Sequence, residues 1–168
     1  MTAMTEVSLS CNSSLIVDVQ LALEDQELDE PPSIEQLSGW ANLTYQSVIE
    51  APVDAELTIR IVDVNEITQL NRDYRLQDKA TNVLSFPFES LNELKTKLLG
   101  DVIICHQVII SEALEQQKSV SNHYAHMVVH GVLHLLGYDH QAEVDAQKME
   151  ALEISILAEL NISDPYLN

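Results

Sequence analysis

Hydrophobic and polar positions along the chain fall into short strand-like and helix-like segments. Residues 15–23 are mostly apolar and read as a first strand. An acidic loop at 24–30 and the pair Pro31-Pro32 end it. Ser33 then stands as the N-cap of a helix running to about residue 49, with Leu37, Trp40, Ala41, Tyr45 and Val48 on one face. Residues 57–62 alternate like a strand, and 65–74 form a short helix. A polar connection at 79–82 leads into a strand at 83–88, which Pro87 confines to a sheet edge or a strand end. Gly100 precedes a short buried strand at 101–105, and helices follow at 107–118, 121–136 and 142–160. Strands early, with helices between and after them, predict an α/β (α+β) fold: a small mixed sheet of about four strands packed with about five helices.

With 168 residues, 46% of them hydrophobic, the chain is expected to be a single domain, 1–168. Residues 1–13 read as a loose N-terminal tail and about 14–162 as the core. No apolar run approaches the ~20 residues of a membrane span, and the N-terminus lacks the order of a secretory signal. Two cysteines, Cys11 and Cys105, are too few for a disulfide framework. A cytoplasmic location is therefore expected, without a membrane partner. Cys105 ends an apolar run and reads as a small core residue.

The net charge is −19, which opposes long-range attraction to phosphodiesters and argues against DNA as a partner. The charge is uneven, however. Residues 1–35 hold eight acids and no base, whereas Arg60, Arg72, Arg75, Lys79, Lys95 and Lys97 cluster between 60 and 97. These bases are either a locally positive face or ordinary solvated charges.

Residues 130–140 change the picture most: His-Gly-Val-Leu-His-Leu-Leu-Gly-Tyr-Asp-His. His130 and His134 lie one helical turn apart, so both rings can converge on one ion. Gly137 allows the chain to double back and bring in His140. Three protein ligands with an open fourth position suit a catalytic zinc on a zincin-like helix. Nickel or another divalent ion would accept the same ligands. His126 stacks one turn before His130 and is expected to line the site or orient a ligand. Asp139 either orients a group at the metal or caps the turn. The spacing H-x3-H-x2-G-x2-H equals that of the metzincin proteases, but the glutamate that serves them as general base is here Gly131.

The eleven residues from His130 to His140 also match the signature H-G-x-L-H-L-x-G-Y-D-H, and the chain thereby resembles the YbeY-type endoribonucleases, or rRNA maturation factors. Asn71, Tyr74-Arg75, residues 78–88 and residues 99–105 fit further blocks of that family. The resemblance covers about 55–160. It implies a zinc ion on His130, His134 and His140, and Arg75 as the functional arginine, suited to binding a phosphate with its planar fork. Lys79, Thr81, Asn82 and Ser85 become candidates for lining a substrate groove. It further implies cleavage of single-stranded RNA in bacterial rRNA maturation, at the 3′ end of 16S rRNA, and in ribosome quality control. The partners implied are rRNA and ribosomal particles, with ribosomal proteins or an assembly GTPase beside them. A metallopeptidase or other zinc hydrolase, and a non-catalytic ribosome-assembly factor with a structural metal, are the alternatives.

Overall fold

Strand β1 (Leu15–Ala22) opens the part of the chain that the structure, a computed structural model, describes: residues 14–24, 29–50, 53–88 and 97–167. The tail at 1–13 and residues 25–28 of the acidic loop lie outside it. Helix α1 (Ile34–Val48) starts at Ser33, whose hydroxyl accepts from Gln36 N–H while the Gln36 side chain accepts from Ser33 N–H. This reciprocal cap satisfies two of the donors that a helix start leaves over. Strand β2 (Ala55–Val62) and helix α2 (Val64–Arg75) follow, then β3 (Val83–Pro87), β4 (Lys97–Cys105), α3 (His106–Glu115), α4 (Val120–Leu135) and α5 (Glu143–Glu159).

The strands form one open mixed sheet in the order β1-β2-β4-β3, with β3 antiparallel to β4 and the other pairings parallel. Pro87 ends the edge strand, where its missing N–H costs no ladder bond. The α/β class, four strands and five helices agree with the periodicity of the sequence.

Alternation sends Leu57, Ile59 and Ile61 of β2 into a core shared with α1, α4 and α5. Across the sheet, Ile103 and Cys105 join Val62, Leu84 and Ile67 of α2 in a smaller cluster. Strand β4 is longer than the 101–105 that the sequence suggests. It begins at Lys97 and carries a bulge where the register with β2 slips between Glu56 and Leu57. The extra residue lets Leu99 and Val102 both enter the larger core despite their odd spacing. At the bulge Gly100 takes φ +132°, and a Cβ there would stand 2.1 Å from the Phe86 carbonyl oxygen.

These backbones predict opposite outcomes for two glycines. Gly39 is exposed inside α1 with nothing within 4 Å of a Cβ, so Gly39→Ala should raise stability by about 1 kcal/mol through helix propensity. Gly100→Ala should lower it by about 1–3 kcal/mol through strain and overpacking. Urea denaturation of both variants checks the pair.

Candidate metal centre and active-site cleft

Helix α4 is buried on almost every side. Val128, Val129, Val132 and Leu133 are fully enclosed between α1, α3, α5 and the sheet. Ser119 caps its start by accepting from Asn122 N–H at 3.0 Å. At the other end Gly137 adopts φ +98°. Its N–H donates to His134 O at 3.1 Å, and Tyr138 N–H donates to Leu133 O at 3.1 Å. This pair of bonds is a Schellman closure, which satisfies the last carbonyls and turns the chain back. Asp139 completes the turn, its Oδ1 accepting His140 N–H at 2.7 Å. Of its two expected roles, the structure displays the capping one.

The turn brings the His140 ring within 5.0 Å of His134 and 5.7 Å of His130, centroid to centroid. One nitrogen from each of the three rings lies within 4.8 Å of the others, so this triad could hold a metal ion. Nε2 of His130 and Nε2 of His134 are 3.1 Å apart. Two nitrogens on a tetrahedral ion at 2.0–2.1 Å would sit roughly 3.4 Å apart, so the donor set fits a divalent ion with little adjustment. Burial lowers the pKa of His134, and the charges of His130 and His140 lower it further, against a backbone hydrogen bond with Tyr138. The neutral ring that a metal requires is thereby favoured.

A residue that pattern reading passed over completes the centre. Glu153 of α5 is fully buried, and its Oε1 accepts from His130 Nδ1 at 2.5 Å. With Nδ1 as the donor, the His130 lone pair lies on Nε2, facing the other two rings. The Tyr166 hydroxyl donates to Glu153 Oε2. His126 Nε2 lies 3.7 Å from the same oxygen, which places His126 beside the site rather than within the triad. Burial alone would raise the Glu153 pKa, but the adjoining His126 and His130 imidazoles, with donation from Tyr166, prevail and hold it at about 2. One sequence signal marks this residue: Glu153 shares the inward stripe of α5 with Met149, Ile156 and Leu157, where an acid needs a partner.

The triad sits in a cleft of about 780 Å3 between α4, its following turn, β3 and the end of α2. Arg75, Thr81, Asn82, Ser85 and Asp139 line it with the histidines. Arg75 is exposed, makes no ion pair among the described residues, and is the one lysine or arginine of the lining. Other bases of the 60–97 stretch are engaged: Arg60 with Glu66 at 2.6 Å, Arg72 with Asp78 at 3.5 Å. Asn82 Oδ1 accepts Val83 N–H at 2.7 Å and its Nδ2 donates to Glu112 at 3.3 Å. Ser85 Oγ donates to Gly131 O at 3.2 Å, fastening β3 to α4. Lys79 is not among the lining residues. Asn71 Nδ2 donates to its carbonyl oxygen at 2.8 Å, in an exposed turn after α2. Lys95 lies outside the described residues.

Gly131, where a metzincin carries glutamate, faces the sheet. A Cβ there would meet Val102 Cγ1 at 2.6 Å and Ser85 Oγ at 3.3 Å. A side chain at this position would have to displace Val102 from that helix–sheet contact. Replacing Glu153 by Gln should weaken zinc affinity about 10–100-fold, because the bond that orients His130 is lost. Replacing His130 by Ala should abolish binding. Competition with a chromophoric chelator measures both.

Comparison with known proteins agrees with this architecture. The solution structure of TM1509 from Thermotoga maritima superposes with a TM-score of 0.53 at 22% identity, covering 91% of this chain and all of that one, a likeness of fold. No helix among the described residues is long and apolar enough to cross a membrane. The family model described as Endoribonuclease YbeY matches residues 20–161. With that match over most of its length, the chain belongs to the YbeY endoribonuclease family.

Proposed function

We propose that this protein is a zinc-dependent endoribonuclease that cleaves single-stranded RNA during rRNA maturation, at the 3′ end of 16S rRNA, and in ribosome quality control. The observation that carries the reading is one cleft holding both a three-histidine donor set and an arginine with no ion pair among the described residues. Within the family match, that pairing of parts suits a phosphodiester substrate.

His130, His134 and His140 would hold the ion, which when bound supplies a Lewis acid and an activated water. Arg75 projects from the last residue of α2 into the same cleft. Its guanidinium would grip the scissile phosphate bidentately and neutralise charge that develops there. Tyr74 stands beside it, 69% exposed, its ring backed by Phe86 at 5.1 Å. An exposed aromatic ring at a cleft wall stacks on an unpaired base, which favours single strands over duplexes. Asp139 is the one carboxylate of the lining, and its Oδ1 is spent on the His140 backbone. A peptidase reading therefore lacks its customary base, and Gly131 supplies none.

The acidity of the chain bears on where it works. With −19 charges overall, free RNA is repelled at long range, so docking on ribosomal particles through their proteins or an assembly GTPase would bring substrate to the cleft. A bacterial cytoplasm follows from that substrate.

Purified zinc-loaded protein should cut single-stranded RNA, spare duplex RNA and casein, and stop when a chelator is added. Arg75→Ala should retain its zinc and lose about 100-fold or more in cleavage rate. Cleavage of casein but not RNA, or RNA cleavage by Arg75→Ala at the wild-type rate, would overturn the assignment.

A further inference from the structure

The family match stops at residue 161, yet the centre receives a side chain from beyond it. Residues 162–167 follow α5 and lie against the α3–α4 connection and α4. Lys118 Nζ donates to the Pro165 carbonyl oxygen at 3.3 Å, and Tyr166 N–H donates to Asp164 Oδ1 at 2.8 Å. The Tyr166 ring meets His126 edge-on, with centroids 5.6 Å apart and planes at 85°. Although Tyr166 is 43% exposed, its hydroxyl reaches inward to Oε2 of the fully buried Glu153.

We propose that Tyr166 is a positioning residue for the metal centre: its hydroxyl fixes the Glu153 carboxylate, which in turn fixes the His130 imidazole. The inference rests on the metal reading of the triad given above. A carboxylate bonded through one oxygen only can rotate about its terminal torsion, which is broad and soft. Donation from Tyr166 to Oε2 opposes that rotation and keeps Oε1 directed at His130 Nδ1. His126 Nε2, at 3.7 Å from Oε2, is too distant to do this alone. The hydroxyl also satisfies a buried anion on the side away from His130, where an unmet acceptor would be costly. Burial and the hydrogen bond to Glu153 raise the tyrosine pKa, which keeps the hydroxyl a donor. The last turn of the chain thus belongs to the site, although it lies outside the segment that defines the family.

Tyr166→Phe keeps the ring that packs on His126 and removes only the hydroxyl, which bonds Glu153 and lies 3.4 Å from His126 Nε2. In the full-length chain, stripped and reloaded, this variant should bind zinc about 10-fold more weakly in chelator competition. Its cobalt form should show a shifted visible ligand-field band. The metal-free variant should unfold at the wild-type temperature. A chain ending at residue 162 should lose at least as much affinity. Wild-type zinc affinity and an unchanged cobalt spectrum in Tyr166→Phe, with Glu153→Gln impaired, would overturn the role of Tyr166. So would a loss of affinity matched by destabilised metal-free protein, which would make the residue a packing element. Failure of the wild-type chain to bind either ion would instead overturn the triad on which the inference stands.

Discussion

A buried carboxylate accepting a hydrogen bond from an imidazole is the interaction on which the site depends. Glu153 is charged and wholly enclosed, an arrangement that is strongly unfavourable unless its oxygens are paired. Its partners are the residues whose orientation matters: His130 on one oxygen, Tyr166 on the other, with His126 close by. The requirement to satisfy this one anion therefore ties α5 and the end of the chain to α4. It also selects which nitrogen of His130 faces His134 and His140. A core that held an apolar residue at position 153 would pack as well and leave that ring free to turn.

The scaffold sets the second condition, a close approach of α4 to the sheet. Gly131 lies so close to Val102 and Ser85 that a side chain would have to displace Val102, and Ser85 adds a hydrogen bond to the Gly131 carbonyl oxygen. Helix α4 can then bury its apolar surface while His130 and His134 emerge at its C-terminal half beside β3. The Schellman turn at Gly137 returns His140 to the same side. Strand β3 and the end of α2 complete the lining, and α2 contributes Arg75 and Tyr74. Helix–sheet packing, a glycine turn and an edge strand thus create a cleft lined by imidazoles together with cationic and aromatic groups.

Local spacing made the imidazoles legible in the sequence. A helical interval of four residues and a glycine turn are short-range rules, and Pro87 likewise marked β3 as peripheral. Asn82 and Ser85 were candidates through the family resemblance, and both line the cleft. Four features needed the fold. The bulge at Leu99 and Gly100 breaks the two-residue alternation, so β4 read as starting at 101 although it begins at Lys97. Lys79 follows Arg75 closely in sequence, but the turn after α2, held by Asn71, leaves it out of the cleft lining. Glu153 sits among other acids of α5, and only its register with Met149 and Ile156 distinguishes it. Tyr166 lies past the last periodic element, where sequence pattern carries no information about long-range contact. Short-range motifs identify ligands. The groups that orient them come from distant segments.

The most direct test of the account is zinc-edge X-ray absorption on the stoichiometrically loaded protein. One ion per chain is expected, with three imidazole nitrogens at ~2.0–2.1 Å and one further light atom. A sulfur scatterer at ~2.3 Å, a shell of oxygens with fewer than two imidazoles, or an unchanged spectrum in His140→Ala would contradict it.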